Sequence, residues 1–251
     1  MDQAVKDLFS HDAGNYAKYR PAYPPELFEF LLSLTKEKNF ALDVGTGNGQ
    51  AAFALSDYFE KVFATDISEG QISMAIQRAN ITYLISRAEE LPFNENQFDL
   101  ITCATAIHWF QFDTFFKEIK RVARPGAIFS CWAYSLVEIS DPAVNAIIVD
   151  FYHGPIGKYW DPERKYIDEK YNTIPFPLEE IRSPSFNIKT NWSLKELEGY
   201  MNTWSAVQHF IKKNNSNPVT TLFEKIRAVF DERKSLQINF PIFMRTGRVI
   251  K

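Results

Sequence analysis

The stretch FALDVGTGNGQ, Phe40 to Gln50, decides how the chain is read. Phe40, Ala41, Leu42 and Val44, with one acidic residue, Asp43, among them, run into three glycines, Gly45, Gly47 and Gly49, and then into the helix-compatible AAFAL. The pattern predicts a strand, a tight turn and a helix start. Glycine permits positive φ and lets a ligand lie against bare backbone, and the first N–H groups of the following helix have no intrahelical partners. The turn is therefore expected to hold a ligand, with Gly45, Thr46, Gly47 and Gly49 as its candidate contacts.

The spacing bears on which ligand. A dinucleotide fingerprint, G-x-G-x-x-G, needs glycine or alanine five residues after the first glycine, where helix and strand pack closely and a pyrophosphate sits on the helix N-terminus. Here Gln50 holds that position and the third glycine falls one residue early. Asp43, two residues before Gly45, is expected to face the occupant of the turn, where a carboxylate repels a pyrophosphate and attracts an ammonium group. A cationic amino-acid ligand fits better than a nicotinamide dinucleotide, which stays as the rival reading.

DVGTGNG at positions 43 to 49 resembles motif I, E/D-x-G-x-G-x-G, of the class I S-adenosylmethionine-dependent methyltransferases. Upstream, YAKYRPAYP is similar to a Y-x-x-Y-R-P-x-Y-P signature of a subgroup that includes the fungal trans-aconitate methyltransferases; Tyr16, Tyr19, Arg20, Pro21, Tyr23 and Pro24 match it. The resemblance implies an α/β, Rossmann-like fold. Its sheet has seven mostly parallel strands in the order 3-2-1-4-5-7-6, the seventh antiparallel, with helices on both faces. It also implies S-adenosylmethionine as cofactor, S-adenosylhomocysteine as product, and an N-terminal lid, residues 1–25, in which Tyr19 and Arg20 close over the methionine end. Tyr16, Tyr23, Trp132 and Trp204 are its candidate acceptor contacts.

Composition narrows the class. The chain has 251 residues, 45% of them hydrophobic, enough for a single large α/β domain. Basic residues number 28 against 31 acidic, a net charge of -3, so no general attraction to nucleic acid is expected. Cys103 and Cys131 lie in apolar runs and read as buried free thiols in a reducing, cytoplasmic setting. The N-terminus lacks a basic-then-apolar leader pattern, and no apolar run approaches the roughly 18 residues of a membrane span. No metal is expected, since H-E-x-x-H, paired C-x-x-C and a tight acidic cluster near the fourth strand are all missing from the sequence. The expected partner is a small-molecule acceptor, without nucleic acid or membrane, on a monomer or homodimer.

In chain order, Glu26 to Thr35 predicts an amphipathic helix and Gln50 to about Tyr58 another. KVFATDIS is a second strand ending at Asp66, 21 positions after Gly45, near the spacing at which a βαβ unit offers a carboxylate to ribose hydroxyls. Asp66 could alternatively cap the helix beginning near Ser68. Ile67 would offer the adenine an apolar face and Gln71 a polar edge. Strands follow at Ile81 to Ser86 and Phe98 to Cys103, with a loop between them. There Ala88 and Glu89 resemble the family position that reads the adenine ring. Ala104, Thr105 and Ala106 leave room beside the backbone, and His108 and Trp109 sit at the mouth, where family members carry a histidine or aromatic near the transferred methyl.

Phe112 to Ala123 is a helix with a core-facing aromatic stripe, and AIFSCWAYS is strand five, carrying Trp132. Leu136 to Arg182 shows no long period and reads as an insertion over the sheet rather than a second domain. Phe186 to Thr190 is strand six. A single helical run then opens at Ser193 with Glu196 as a capping box and passes through Trp204, Ser205, His209 and Phe210, which resemble a segment bordering the acceptor pocket in the trans-aconitate-like subgroup. Thr220 to Lys234 is the last helix, and Leu236 to Ile250 the last strand region.

Methyl transfer from a sulfonium is an in-line displacement in which positioning supplies much of the acceleration. A carboxylate acceptor, already ionised at neutral pH, needs no base. A hydroxyl or amine would need His108 or His209 to take its proton. A cofactor-binding module without catalysis is the remaining alternative.

Overall fold

The computed structural model describes residues 19–251, so Tyr16 and most of the expected lid lie outside the described residues. Helix α1 (Pro25–Leu34) leads into β1 (Phe40–Val44), and α2 (Gln50–Leu55) joins it to β2 (Lys61–Asp66). Then come α3 (Glu69–Ser73), β3 (Ile81–Ile85), β4 (Phe98–Ala104), a 3-10 turn at Ile107–Trp109, α4 (Phe112–Val122) and β5 (Ala123–Tyr134). β1 pairs in parallel with β2 and β4, β2 with β3, and β4 with β5. These connections are βαβ crossovers or loops that return to the same edge direction, which is what apolar strands alternating with helical segments dictate.

The second half builds the far edge. β6 (Glu138–Ile139), α5 (Pro142–His153), a 3-10 turn at Gly157–Tyr159, α6 (Arg164–Asp168) and β7 (Glu179–Ile181) occupy the expected insertion. β8 (Phe186–Trp192), α7 (Leu194–Asn202), α8 (Ser205–Asn214), α9 (Pro218–Arg227) and β9 (Leu236–Arg248) complete the chain. β9 is antiparallel to all its neighbours. Ile242 faces Tyr134 of β5 on one edge and Phe186 of β8 on the other. Ile238 likewise faces Ile139 of β6 and Thr190 of β8, and Thr246 faces Ser130 of β5 and Ile181 of β7. β6 thus extends the line of β5, and β7 the line of β8. The expected order is present, with an antiparallel strand between the fifth and sixth positions. The strands number nine rather than seven because two positions are interrupted.

Alternation on β1 sorts the core. Ala41 joins Val62, Leu100, Ile128 and Trp132 in one apolar cluster, and Leu42 and Val44 join Ile101, Phe129 and Phe115 in the other. On α4, Phe115, Phe116, Ile119 and Val122 are buried while Lys120 and Arg121 sit in the last turn, where cations suit the helix C-terminus. The insertion shares both clusters, with Val144, Ile148 and Phe151 in the first and Ile167, Tyr171 and Ile174 in the second.

Two helix readings need correction. The run expected as one helix from Ser193 is two. α7 does open on the Ser193–Glu196 capping box, but the backbone turns extended at Trp204 (φ -71°, ψ 132°) before α8 starts at Ser205. The last helix begins at Pro218, capped by Asn217, and ends at Arg227, well short of Lys234.

Candidate active site

The carboxyl ends of β1, β2 and β4 open onto a cavity of about 760 Å3, within the range of small-molecule sites and at the edge where an open α/β sheet binds ligands. Its floor is the glycine bend. The N–H groups of Gly45 and Thr46 both donate to the Thr65 carbonyl, at 2.8 and 3.0 Å, which ties the bend to β2. Gly47 donates its N–H to Asp66 Oδ2 at 2.8 Å, and Ser68 donates to Asp66 Oδ1 at 2.9 Å. A carboxylate has about four acceptor positions, so these two bonds orient Asp66 and leave capacity for hydroxyls.

The glycines differ in what surrounds them. At Gly47 (φ +54°) an added Cβ would meet nothing closer than Gln71 Oε1 at 3.8 Å, so that position faces open cavity. At Gly49 (φ +83°) it would collide with the Tyr83 hydroxyl, so that glycine serves packing under the bend.

Asp43 is fully buried beneath the bend and outside the cavity lining. Thr46 Oγ1 donates to Asp43 Oδ2 at 2.6 Å and Thr102 Oγ1 to Asp43 Oδ1 at 2.7 Å. Burial pushes its carboxyl up from 3.8 to about 6, against the pull of those two hydroxyl bonds.

Gly45, Thr46, Gly47, Asp66, Ile67, Gln71, Ala88, Glu89 and Ala104 all line the cavity, as do Arg20, Tyr23, His108, Trp109 and Trp204. The Glu89 carboxylate is partly engaged, since Gln111 donates its N–H to Oε1 at 2.9 Å. Tyr23 shares a hydrogen bond with Thr105 Oγ1 at 3.1 Å, and Thr105 sits at φ +57°, strained for a β-branched residue. Arg20 donates Nη1 to the Tyr134 hydroxyl and Nη2 to the Thr203 carbonyl, with its guanidinium 5.3 Å from the Tyr200 ring centroid.

Four predicted residues stand outside the lining. These are Tyr19, Gly49, Trp132 and His209, and Asp43 makes a fifth. Trp132 is fully buried with its ring edge-on to Tyr23 and Phe28, so it supports the wall from behind. His209 points its Nδ1 at the Tyr159 carbonyl at 3.0 Å.

His108 does line the cavity, with Nδ1 3.0 Å from the Tyr171 hydroxyl. Burial, with the nearby charge of Arg164 adding to it, pushes its pKa down to about 3, so the ring is neutral at pH 7. Sequence reasoning missed Trp160, Arg164, Tyr134, Tyr200 and Tyr171. Only the density of aromatic and charged residues in the insertion hinted at the first two.

Residues 42–131 match the family model described as a methyltransferase domain. A protein of Dictyostelium discoideum named as a methyltransferase is 34% identical over 95% of this chain and 93% of its own. The chain belongs to the class I S-adenosylmethionine-dependent methyltransferases.

A solved structure from Anaeromyxobacter dehalogenans, described as a type II methyltransferase, superposes with a TM-score of 0.85 at 36% identity, covering 92% of this chain and 99% of that one. A Saccharomyces cerevisiae protein named as an S-adenosylmethionine-dependent methyltransferase is 23% identical over 82% of this chain and 83% of its own. The residues present fit this methyltransferase cofactor. Gly47 leaves the bend open, Asp66 is oriented toward hydroxyls, and Ala104 and Ala106 keep the β4 side narrow-walled and bare. Among the described residues no group of three or more His, Cys, Asp or Glu could hold a metal ion, and no helix is long and apolar enough to cross a membrane.

Proposed function

We propose that this methyltransferase acts on a small molecule, and that the acceptor is a small carboxylic acid, as the trans-aconitate-like N-terminal signature suggests. The observation that carries the reading is the absence, among the described residues, of a strong histidine base in the cavity. His108 is held neutral with a pKa near 3, and His209 stands outside the lining. A carboxylic acid is ionised at neutral pH and brings its own nucleophile, so it needs no such base. Arg164 borders the cavity and suits an anion.

When bound, the cofactor supplies an electrophilic methyl group on a sulfonium. The chain's part is to hold. The glycine bend and Asp66 fix one end, and the rings of Tyr23, Tyr200, Trp160 and Trp204 give the acceptor side apolar surface.

A small amine is the second reading, favoured by Asp161 and Glu163 on the same wall. A screen of carboxylic acids, amines and phenols, read as S-adenosylhomocysteine release, separates the two. Turnover confined to amines or phenols would overturn the carboxylate reading.

A further inference from the structure

One wall of the cavity comes from the insertion, through Trp160, Asp161, Glu163 and Arg164. Arg164 is fixed along one edge. Its Nε donates to the Tyr152 hydroxyl at 2.7 Å, that hydroxyl donates to Asp168 Oδ1 at 2.7 Å, and Asp168 lies 3.5 Å from the same Nε. The guanidinium rests over the Trp160 ring, 4.6 Å from its centroid, and 5.2 Å from that of Tyr152. Trp160 in turn packs against Trp204, with centroids 5.7 Å apart.

The other edge is open. Nη1 and Nη2 donate no hydrogen bond among the described residues, and the side chain is 23% exposed. The other guanidiniums on the cavity are engaged. Arg20 has both terminal nitrogens committed to Tyr134 and Thr203, and Arg87 lies 3.7 Å from the Glu89 carboxylate. Asp161 shares the wall with Arg164, with Oδ2 3.7 Å from His209 Nδ1.

We propose that Arg164 is the anion-binding subsite of the acceptor pocket. Its two terminal nitrogens take the acceptor's carboxylate, and Trp160 and Trp204 seat an apolar skeleton behind it. Rested on one aromatic ring and braced through Nε, the fork loses little freedom on binding, and a guanidinium matches a carboxylate with two parallel bonds. A cation of this kind beside a cavity that also receives a sulfonium calls for an anion between them. Arg164 and His108 line the same cavity. The inference rests on the carboxylate reading and adds to it the residue and the shape of the acid.

The test is binding, with S-adenosylhomocysteine present, of cinnamate and of cinnamyl alcohol as its uncharged counterpart, followed by tryptophan fluorescence or calorimetry. Wild-type protein should hold cinnamate at least about 10-fold more tightly than the alcohol. Arg164→Gln should weaken cinnamate by about 10- to 100-fold, the range for a hydrogen-bonded charge, and leave the alcohol and S-adenosylhomocysteine unchanged. Arg164→Lys should fall between them. Equal binding of acid and alcohol to wild-type protein overturns the proposal without any variant, as does full cinnamate affinity in Arg164→Gln. Should Arg164→Gln fail to fold, the wild-type and Arg164→Lys comparison decides. If carboxylic acids are turned over while Arg164→Gln keeps its KM for them, only the subsite falls. If amines or phenols alone are turned over, the carboxylate reading falls with it.

Discussion

Replacing Asp43 with asparagine tests the electrostatics under the glycine bend. A carboxyl with an ordinary pKa of 3.8 that stands at about 6 in the fold is harder to ionise there than in the unfolded chain. The gap corresponds to about 3 kcal/mol at 1.36 kcal/mol per pH unit. Because the folded value is the raised one, the cost is nil below pH 3.8, grows as pH rises toward 6, and is constant above. An asparagine side chain at this position keeps the shape, can accept from one of Thr46 and Thr102, and donates to the other as that hydroxyl turns. Asp43→Asn should therefore leave ligand-free stability unchanged near pH 4 and raise it by up to about 3 kcal/mol at pH 8, less whatever the rearranged hydroxyl costs. Urea denaturation of the parent and variant across pH 4 to 8 measures this. Parallel stability curves, or a variant less stable at pH 8, would refute the account of a burial penalty at Asp43. If the cofactor's ammonium is what offsets that penalty, the same variant should bind S-adenosylhomocysteine more weakly above pH 6 than the parent does.

Other expectations follow from the same site. Asp66→Ala should weaken S-adenosylhomocysteine binding by about 1–3 kcal/mol through lost charge-assisted bonds, and unchanged affinity by calorimetry would remove Asp66 from the ribose role. Gly49→Ala should cost about 2–5 kcal/mol, from positive φ and collision with the Tyr83 hydroxyl, and Tyr83→Phe in the same chain should recover part of it. His108, neutral when folded, must take up a proton on unfolding below its ordinary value of 6.5, so its contribution is present above pH 6.5 and lost as pH falls toward 3. His108→Gln should then flatten the fall in Tm between pH 6.5 and 4, and identical slopes would count against the buried, neutral ring.

What could be read from the residues were features set locally. The bend at Gly45 to Gly49, the parallel strands flanking it and the carboxylate at Asp66 follow from period, glycine placement and spacing, and the structure has the same strands and bend. The depth of Asp43 does not follow, because it depends on Thr102, which reaches it from the neighbouring strand and is 59 positions away. The break at Trp204 carries no glycine or proline to announce it; the backbone turns there while the ring packs with Tyr200 and Trp160. Arg164 gave no signal beyond the insertion's density of charge. Its role comes from Tyr152, Trp160 and Asp168, which only the folded insertion brings to one place.

The insertion also carries two successive non-glycine residues with left-handed backbone, Lys170 (φ +53°) and Tyr171 (φ +61°), a conformation costing about 1–2 kcal/mol each. That twist drives the Tyr171 ring wholly inside, under His108, while Arg245 grips the Tyr171 and Ile174 carbonyls from β9. The loop is riveted at its trailing end and hangs over the chamber at its leading one. Residues around Trp160 to Arg164 could then be exchanged to reshape what the enzyme accepts, with the rivet keeping the chamber's histidine in place.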